Sequence, residues 1–319
     1  MANAYTDTST NSLGTSLVQT AYDRYVEFAL RAIPLIRDVA DKRPAQQAMP
    51  GSSVVFQRYQ DLAKATGTLS ETTDPDAVAL GNTTSVSVTL NEYGNASLAT
   101  RKLELFSLSD VDPAIADIIA FNMADSIDEV AQTVLRAGTN VIYSANSTGT
   151  AATGTVYIGA TNTIKSADVR KAVAKLRANK AVPRVNDLYW VGIHPEVSHD
   201  LRAETGAGGW REAHVYNESG AGQLWPGAIG TYEGAMFVES PRLYNATDGA
   251  SSTRVFRTIV AGKQALAEAI AEEPHVIIGP VVDKLMRFRP IGWYGVLGFA
   301  RYREEALYRI ESTSSINLV

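Results

Sequence analysis

The chain is 319 residues long, 45% apolar, with a formal charge of −5 and no cysteine. That length and apolar share suffice for one large core or two modest ones, and the missing cysteines exclude disulfides, thiolate zinc sites and thiol nucleophiles. The acidic balance argues against a dedicated nucleic-acid-binding domain, although merely enclosing nucleic acid needs no positive net charge.

Residues 1–16 are rich in Ser, Thr and Asn and read as a flexible arm. The opening MANAYTDTSTNSLG is no charged-then-apolar leader, and no run of eighteen apolar residues occurs, so neither export nor membrane insertion is expected. Leu17, Tyr22, Tyr25, Val26, Ala29, Leu30 and Ile33 recur near helical spacing and predict an amphipathic helix that ends or kinks at Pro34. Arg24, Arg31, Arg37, Lys42 and Arg43 give this segment a local positive excess, suited to weak charge contact with enclosed nucleic acid. In DKRPAQQAMPGS, Pro44, Pro50 and Gly51 argue against regular structure.

Two β-like runs follow, SSVVFQRYQ (52–60) and TTSVSVTLNEYG (83–94), the second alternating through Val86, Val88 and Leu90. About twenty polar residues with Gly and Pro separate them. An isolated hairpin is marginal in water, so this excursion is expected to lie on something else, most plausibly another chain. A long helix is predicted over 113–137, with Asp112 as N-cap, Pro113 at its first position and Gly138 past its end. Val111, Ile115, Ile119, Met123, Ile127, Val130 and Val134 form its apolar stripe, and roughly 37 Å of length makes it a spine.

After a Gly/Thr-rich loop (144–155), a helix capped at Ser166 presents Val169, Val173 and Leu176, and LYWVGI (188–193) reads as a strand. Residues 205–230 carry seven glycines with Trp210 and Trp225 and read as a long loop. GAMFVES (234–240) and 254–261 read as strands, KQALAEAIAEE (263–273) as a short helix, and the Arg- and aromatic-rich 284–312 as extended strands. The arginines there, Arg287, Arg289, Arg301, Arg303 and Arg309, suit either a charged outer face or pairing with acidic residues of a neighbouring subunit. Helix and strand are mixed throughout, so the fold class is α+β with protruding segments.

GIHPEVSHDLRAE (192–204) tests for chemistry, since it holds two of the four histidines. A zinc-binding helix places its histidines at i and i+4, whereas His194 and His199 are five apart, roughly 140° around a helix. A strand ending at His194, with Pro195 at the first helical position and Val197 and Leu201 facing inward, explains the same residues. His214 could join them only from the glycine-rich loop, and nothing at fixed spacing supports a metal or hydrolase site. There is no GxSxG elbow or P-loop, and Glu272–Glu273 and Glu304–Glu305 read as solvated pairs. No enzyme, metal or cofactor is expected.

The order of parts, together with VVFQRYQDLAKATGTLSE (54–71), VTLNEYGNASLAT (88–100), YWVGIHPEVSHDLRAE (189–204), GGWREAHVY (208–216) and GAIGTYEGAMFVES (227–240), resembles the major capsid proteins of tailed bacteriophages with the HK97-like fold, and within them the N4 gp56-type family. The resemblance implies an N-terminal arm (1–51), an extended loop (52–100), a peripheral domain (101–159 and 275–319) around the spine helix, and an axial domain (160–274) that meets its copies around fivefold and sixfold axes. It implies pentamers and hexamers in an icosahedral shell enclosing double-stranded DNA touched non-specifically. Its partners would be a portal with scaffold or decoration proteins, and assembly would take place in the bacterial cytoplasm before the protein resides in the virion. An encapsulin-type nanocompartment shell is the alternative within the fold. Arg58, Tyr59, Lys64, Val86, Val88, Leu90, Tyr93, Trp210, Trp225, Arg287 and Arg289 are the expected subunit-interface residues. Lys64 also lies where some relatives carry a cross-linking lysine, but a lysine on an exposed loop is ordinary and no cross-link is expected.

Overall fold

The structure is a computed structural model and describes residues 34–44, 52–59, 62–72, 74, 77–79, 84–106, 111–204, 228–281, 283–285 and 287–317. The expected N-terminal helix (17–33) and most of the glycine-rich loop, including Trp210, His214 and Trp225, lie outside the described residues. In chain order the elements are β1 (Ala40–Pro44), β2 (Ser53–Arg58), β3 (Thr84–Thr89), β4 (Asn91–Thr100), α1 (Arg101–Phe106), α2 (Val111–Arg136), β5 (Val141–Tyr143), α3 (Ser166–Ala178), β6 (Tyr189–Ile193), α4 (Pro195–Ala203), β7 (Ala228–Tyr232), β8 (Ala235–Glu239), β9 (Asn245–Ala246), β10 (Val255–Ala261), β11 (Leu266–Ile278), β12 (Phe288–Arg301) and β13 (Leu307–Ser312).

These strands form two large sheets and a ribbon. One sheet has the order β1-β11-β12-β4; the other runs β5-β13-β10-β6-β8-β7, with β9 beside β10; among the described residues β2 and β3 pair only with each other. The second sheet carries the larger core, where Tyr189, Phe237, Phe256 and Ile310 are enclosed between strands and the inward faces of α3 and α4. In α3 that face is Val169, Ala172, Val173 and Leu176, and in α4 it is Val197 and Leu201.

The spine helix joins both cores. At 1.5 Å per residue its 26 residues span roughly 39 Å. Ile119 and Ile127, flanked by the half-buried Ile115 and Met123, pack on Ile291, Trp293 and Leu297 of β12. Ala131 and Leu135, one and two turns further on, enter the larger core instead. Asn122 fastens the first half: its Oδ1 accepts from Trp293 Nε1 at 3.0 Å and from Asn95 Nδ2 at 3.2 Å.

Four expectations are corrected. KQALAEAIAEE is not a helix: Leu266–Ile278 is a strand inside its sheet, paired with β1 on one side and β12 on the other. Its Ala and Glu residues favour helix in isolation, but two hydrogen-bonding neighbours and burial of Leu266, Ala267, Glu268 and Ala269 override that preference. Pro274, which would break a regular ladder, sits within a register shift between Glu272 and His275. Secondly, residues 41–44, expected to be irregular, belong to β1, an edge strand that tolerates Pro44 at its end. Thirdly, TTSVSVTLNEYG is not one strand: it breaks at Leu90, and β4 pairs with β12 rather than with the ribbon. Lastly, Ser166 does not cap α3 but begins it. Carboxylates do the capping: Asp168 accepts from Lys165 N–H at 3.2 Å and Glu204 from Ser166 N–H at 2.8 Å.

Candidate assembly interface

The ribbon stands on the first sheet through a small apolar root. Phe56 and Val88 are buried against Ala267 and Ala269, with Val54, Leu90, Ala300 and Tyr302 around them. Burying two such side chains contributes about 1.5–3 kcal/mol each. Tyr302 meets Phe56 edge-on at 5.9 Å between ring centres, and its hydroxyl donates to Gln57 O at 3.2 Å. Gly298 sets the closeness of approach, because a Cβ there would lie 2.1 Å from Thr89 O. Arg58 reaches Glu305 at 3.4 Å, an exposed ion pair of marginal strength.

Beyond that root the described part of the excursion is surface. Tyr59, Leu69 and Val78 are 76%, 78% and 74% exposed, and Lys64 is exposed as well. The expected interface residues therefore divide. Val88 is enclosed by its own chain, Val86 and Leu90 are half-buried at the root, and Tyr93 leans on the Trp293 cluster. These four hold the excursion in place, whereas Arg58, Tyr59 and Lys64 lie outward on it.

Arg287 and Arg289 lie at the opposite end of β12, exposed beside a pocket of about 400 Å³ that also takes in Arg101, Val281 and Phe288. Arg287 Nε donates to Asp283 at 2.5 Å and, through that hydrogen bond, holds the Asp283 carboxyl below its usual range. Arg301 and Arg309 serve their own chain. Arg301 donates to Val134 O at 3.0 Å; Arg309 donates to Gly138 O at 3.0 Å, to Arg136 O and to buried Glu311 at 2.7 Å. They cover the carbonyls that the C-terminus of α2 leaves without helical partners. The sequence places these arginines on strands but carries no sign that those strands end beside the spine helix.

The histidine motif folds as the strand-turn-helix expected of it. His194 caps α4, Nδ1 accepting from Glu196 N–H at 3.3 Å, and its ring tilts against Phe256 at 4.8 Å between centres. Burial lowers the His194 pKa, which keeps Nδ1 free to accept. His199 lies on the solvent side, 3.4 Å from Asp200, whose carboxylate is taken by Ser315 N–H at 2.8 Å. Among the described residues no three His, Asp or Glu side chains converge as metal ligands, and no helix is long and apolar enough to cross a membrane.

A ribbon rooted on a sheet, a spine helix shared by two cores and a separate α/β sheet define an HK97-like shell subunit. The chain belongs to the phage capsid protein family, whose profile matches residues 6–308, and it is a major capsid protein; the encapsulin alternative is not favoured. Among solved structures it is similar to the capsid of Ralstonia phage GP4 (15% identity, 98% of each chain covered, TM-score 0.73). It is also similar to the capsid of cyanophage Pam1 (14% identity, 96% and 99% covered, TM-score 0.71) and to that of Helicobacter pylori bacteriophage KHP30 (14%, 98% and 99%, TM-score 0.70). No curated protein sequence matches the chain.

Proposed function

We propose that this subunit builds the icosahedral head of a tailed phage of the N4 gp56-type group. It would assemble as pentamers and hexamers in the bacterial cytoplasm around double-stranded DNA, with a portal and scaffold or decoration proteins as partners. The observation that carries this is the excursion between β2 and β3, whose apolar residues Tyr59, Leu69 and Val78 its own chain leaves about three-quarters exposed. Such a segment is not stable by itself and gains its packing only from a further copy. Arg58, Tyr59, Lys64, Arg287 and Arg289 are the proposed contact residues, with Trp210 and Trp225 on the glycine-rich loop nearer the axes. Deleting 62–80 is expected to leave a soluble, folded subunit that does not close shells. Normal shells from that deletion would overturn the proposal.

A further inference from the structure

Residues 165–186 run against the charge of the rest of the chain. They hold seven cations and one carboxylate, Asp168, in a chain whose formal charge is −5. Asp168 is buried, whereas Arg170, Lys171, Lys175, Arg177 and Lys180 are all exposed. Among the described residues only Arg170 of these five is ion-paired, to Glu233 at 3.3 Å.

The fold sorts these cations onto one side of α3. Val169, Ala172, Val173 and Leu176 turn into the larger core, so the opposite face points outward. At helical spacing Arg170 and Arg177 form one row and Lys171 and Lys175 a second, roughly 130° away, with the exposed Ala167, Ala174 and Ala178 between them. Between residues 165 and 181 no large apolar side chain is exposed. The centre of a protein–protein contact is apolar and poor in lysine, so this surface fits a partner recognised by charge alone. The N-terminal segment, which the sequence offers for the same role, has Arg37 committed to Glu268 at 2.7 Å and Glu273 at 2.8 Å.

We propose that the outward face of α3 is where the subunit meets double-stranded DNA, its two cationic rows lying along the phosphodiester backbone. Such a face supplies charge and no base readout, so binding is independent of sequence and falls steeply with salt. From Arg170 to Arg177 the helix rises roughly 10 Å, about three base-pair steps, so each copy covers a short stretch and many copies act together. This inference rests on the shell-subunit reading and deepens it, since it turns α3 toward the enclosed DNA.

Binding of a double-stranded DNA oligonucleotide to the full chain, followed across a range of salt concentrations, tests this. Lys171→Gln with Lys175→Gln and Lys180→Gln is expected to reduce the slope of log affinity against log salt by about 3, for any sequence. The melting temperature should be unchanged, and the variant's shells should close but retain less nucleic acid. An unchanged slope would overturn the proposal. So would folded variant subunits that no longer close shells, since the cationic face would then be a contact between copies. The natural absence of cysteine allows a second test. Lys171→Cys in closed shells is expected to resist a polyethylene-glycol maleimide and to react once the shells are disrupted. Reaction in intact shells would place α3 on the outside and overturn the proposal while leaving the shell reading standing. A parent chain that forms no particles would overturn both.

Discussion

Asp128, on the spine helix, ties down residues 36 and 37 of the N-terminal arm. Its Oδ1 accepts from Ile36 N–H at 2.7 Å and Arg37 N–H at 3.0 Å. The side chain is buried, and burial raises its pKa from 3.8 to about 6. The folded state therefore holds this proton more tightly than the unfolded chain, so the group favours folding fully below pH 4 and loses that contribution as pH rises through 6. A shift of that size corresponds to about 3 kcal/mol in all, of which about 1 kcal/mol falls between pH 5 and pH 7. Asp128→Asn keeps an oxygen for both amides and removes the proton. Urea unfolding of the unassembled subunit should show the parent gaining about 1 kcal/mol more than Asp128→Asn on going from pH 7 to pH 5. Taking the difference cancels the other buried carboxylates, Glu268 and Asp168, whose pKa values are also raised by burial. Parallel pH profiles would refute the reasoning. Asp128→Ala strands two amides, and should cost about 2–4 kcal/mol and speed hydrogen exchange at residues 36 and 37.

Gly298→Ala would drive a methyl into Thr89 O, so the ribbon must shift at its root; shells should be malformed or absent by electron microscopy while the larger core still melts cooperatively. His194→Ala removes the cap of α4 and a ring contact, and a loss of about 1–2 kcal/mol is expected in thermal denaturation. His199→Ala should stay within about 0.5 kcal/mol of the parent. Both histidine variants should form shells, and loss of assembly in His199→Ala would contradict the framework role.

The legible parts of the sequence were those where local pattern and tertiary setting agree. The stripe from Ile115 to Val134 found the spine helix to within two residues at either end, and Pro195 with Val197 and Leu201 found the short helix that follows His194. The parts that were not legible depend on long-range pairing. Glu268 sits at 0% exposure in a central strand only because Arg37, 231 residues earlier, meets it at 2.8 Å, an ion pair invisible to any local window. The change of partner at Leu90 is equally silent, since β3 and β4 read as one alternating run although β3 pairs with β2 and β4 with β12. The roles of Arg301 and Arg309 depend on where the spine helix ends.

Electron microscopy of the purified chain tests the central claim most directly. The account expects closed icosahedral shells built of pentamers and hexamers, with the ribbon of each copy lying on a neighbour. A monodisperse population of monomers or two-fold dimers under assembly conditions would contradict it.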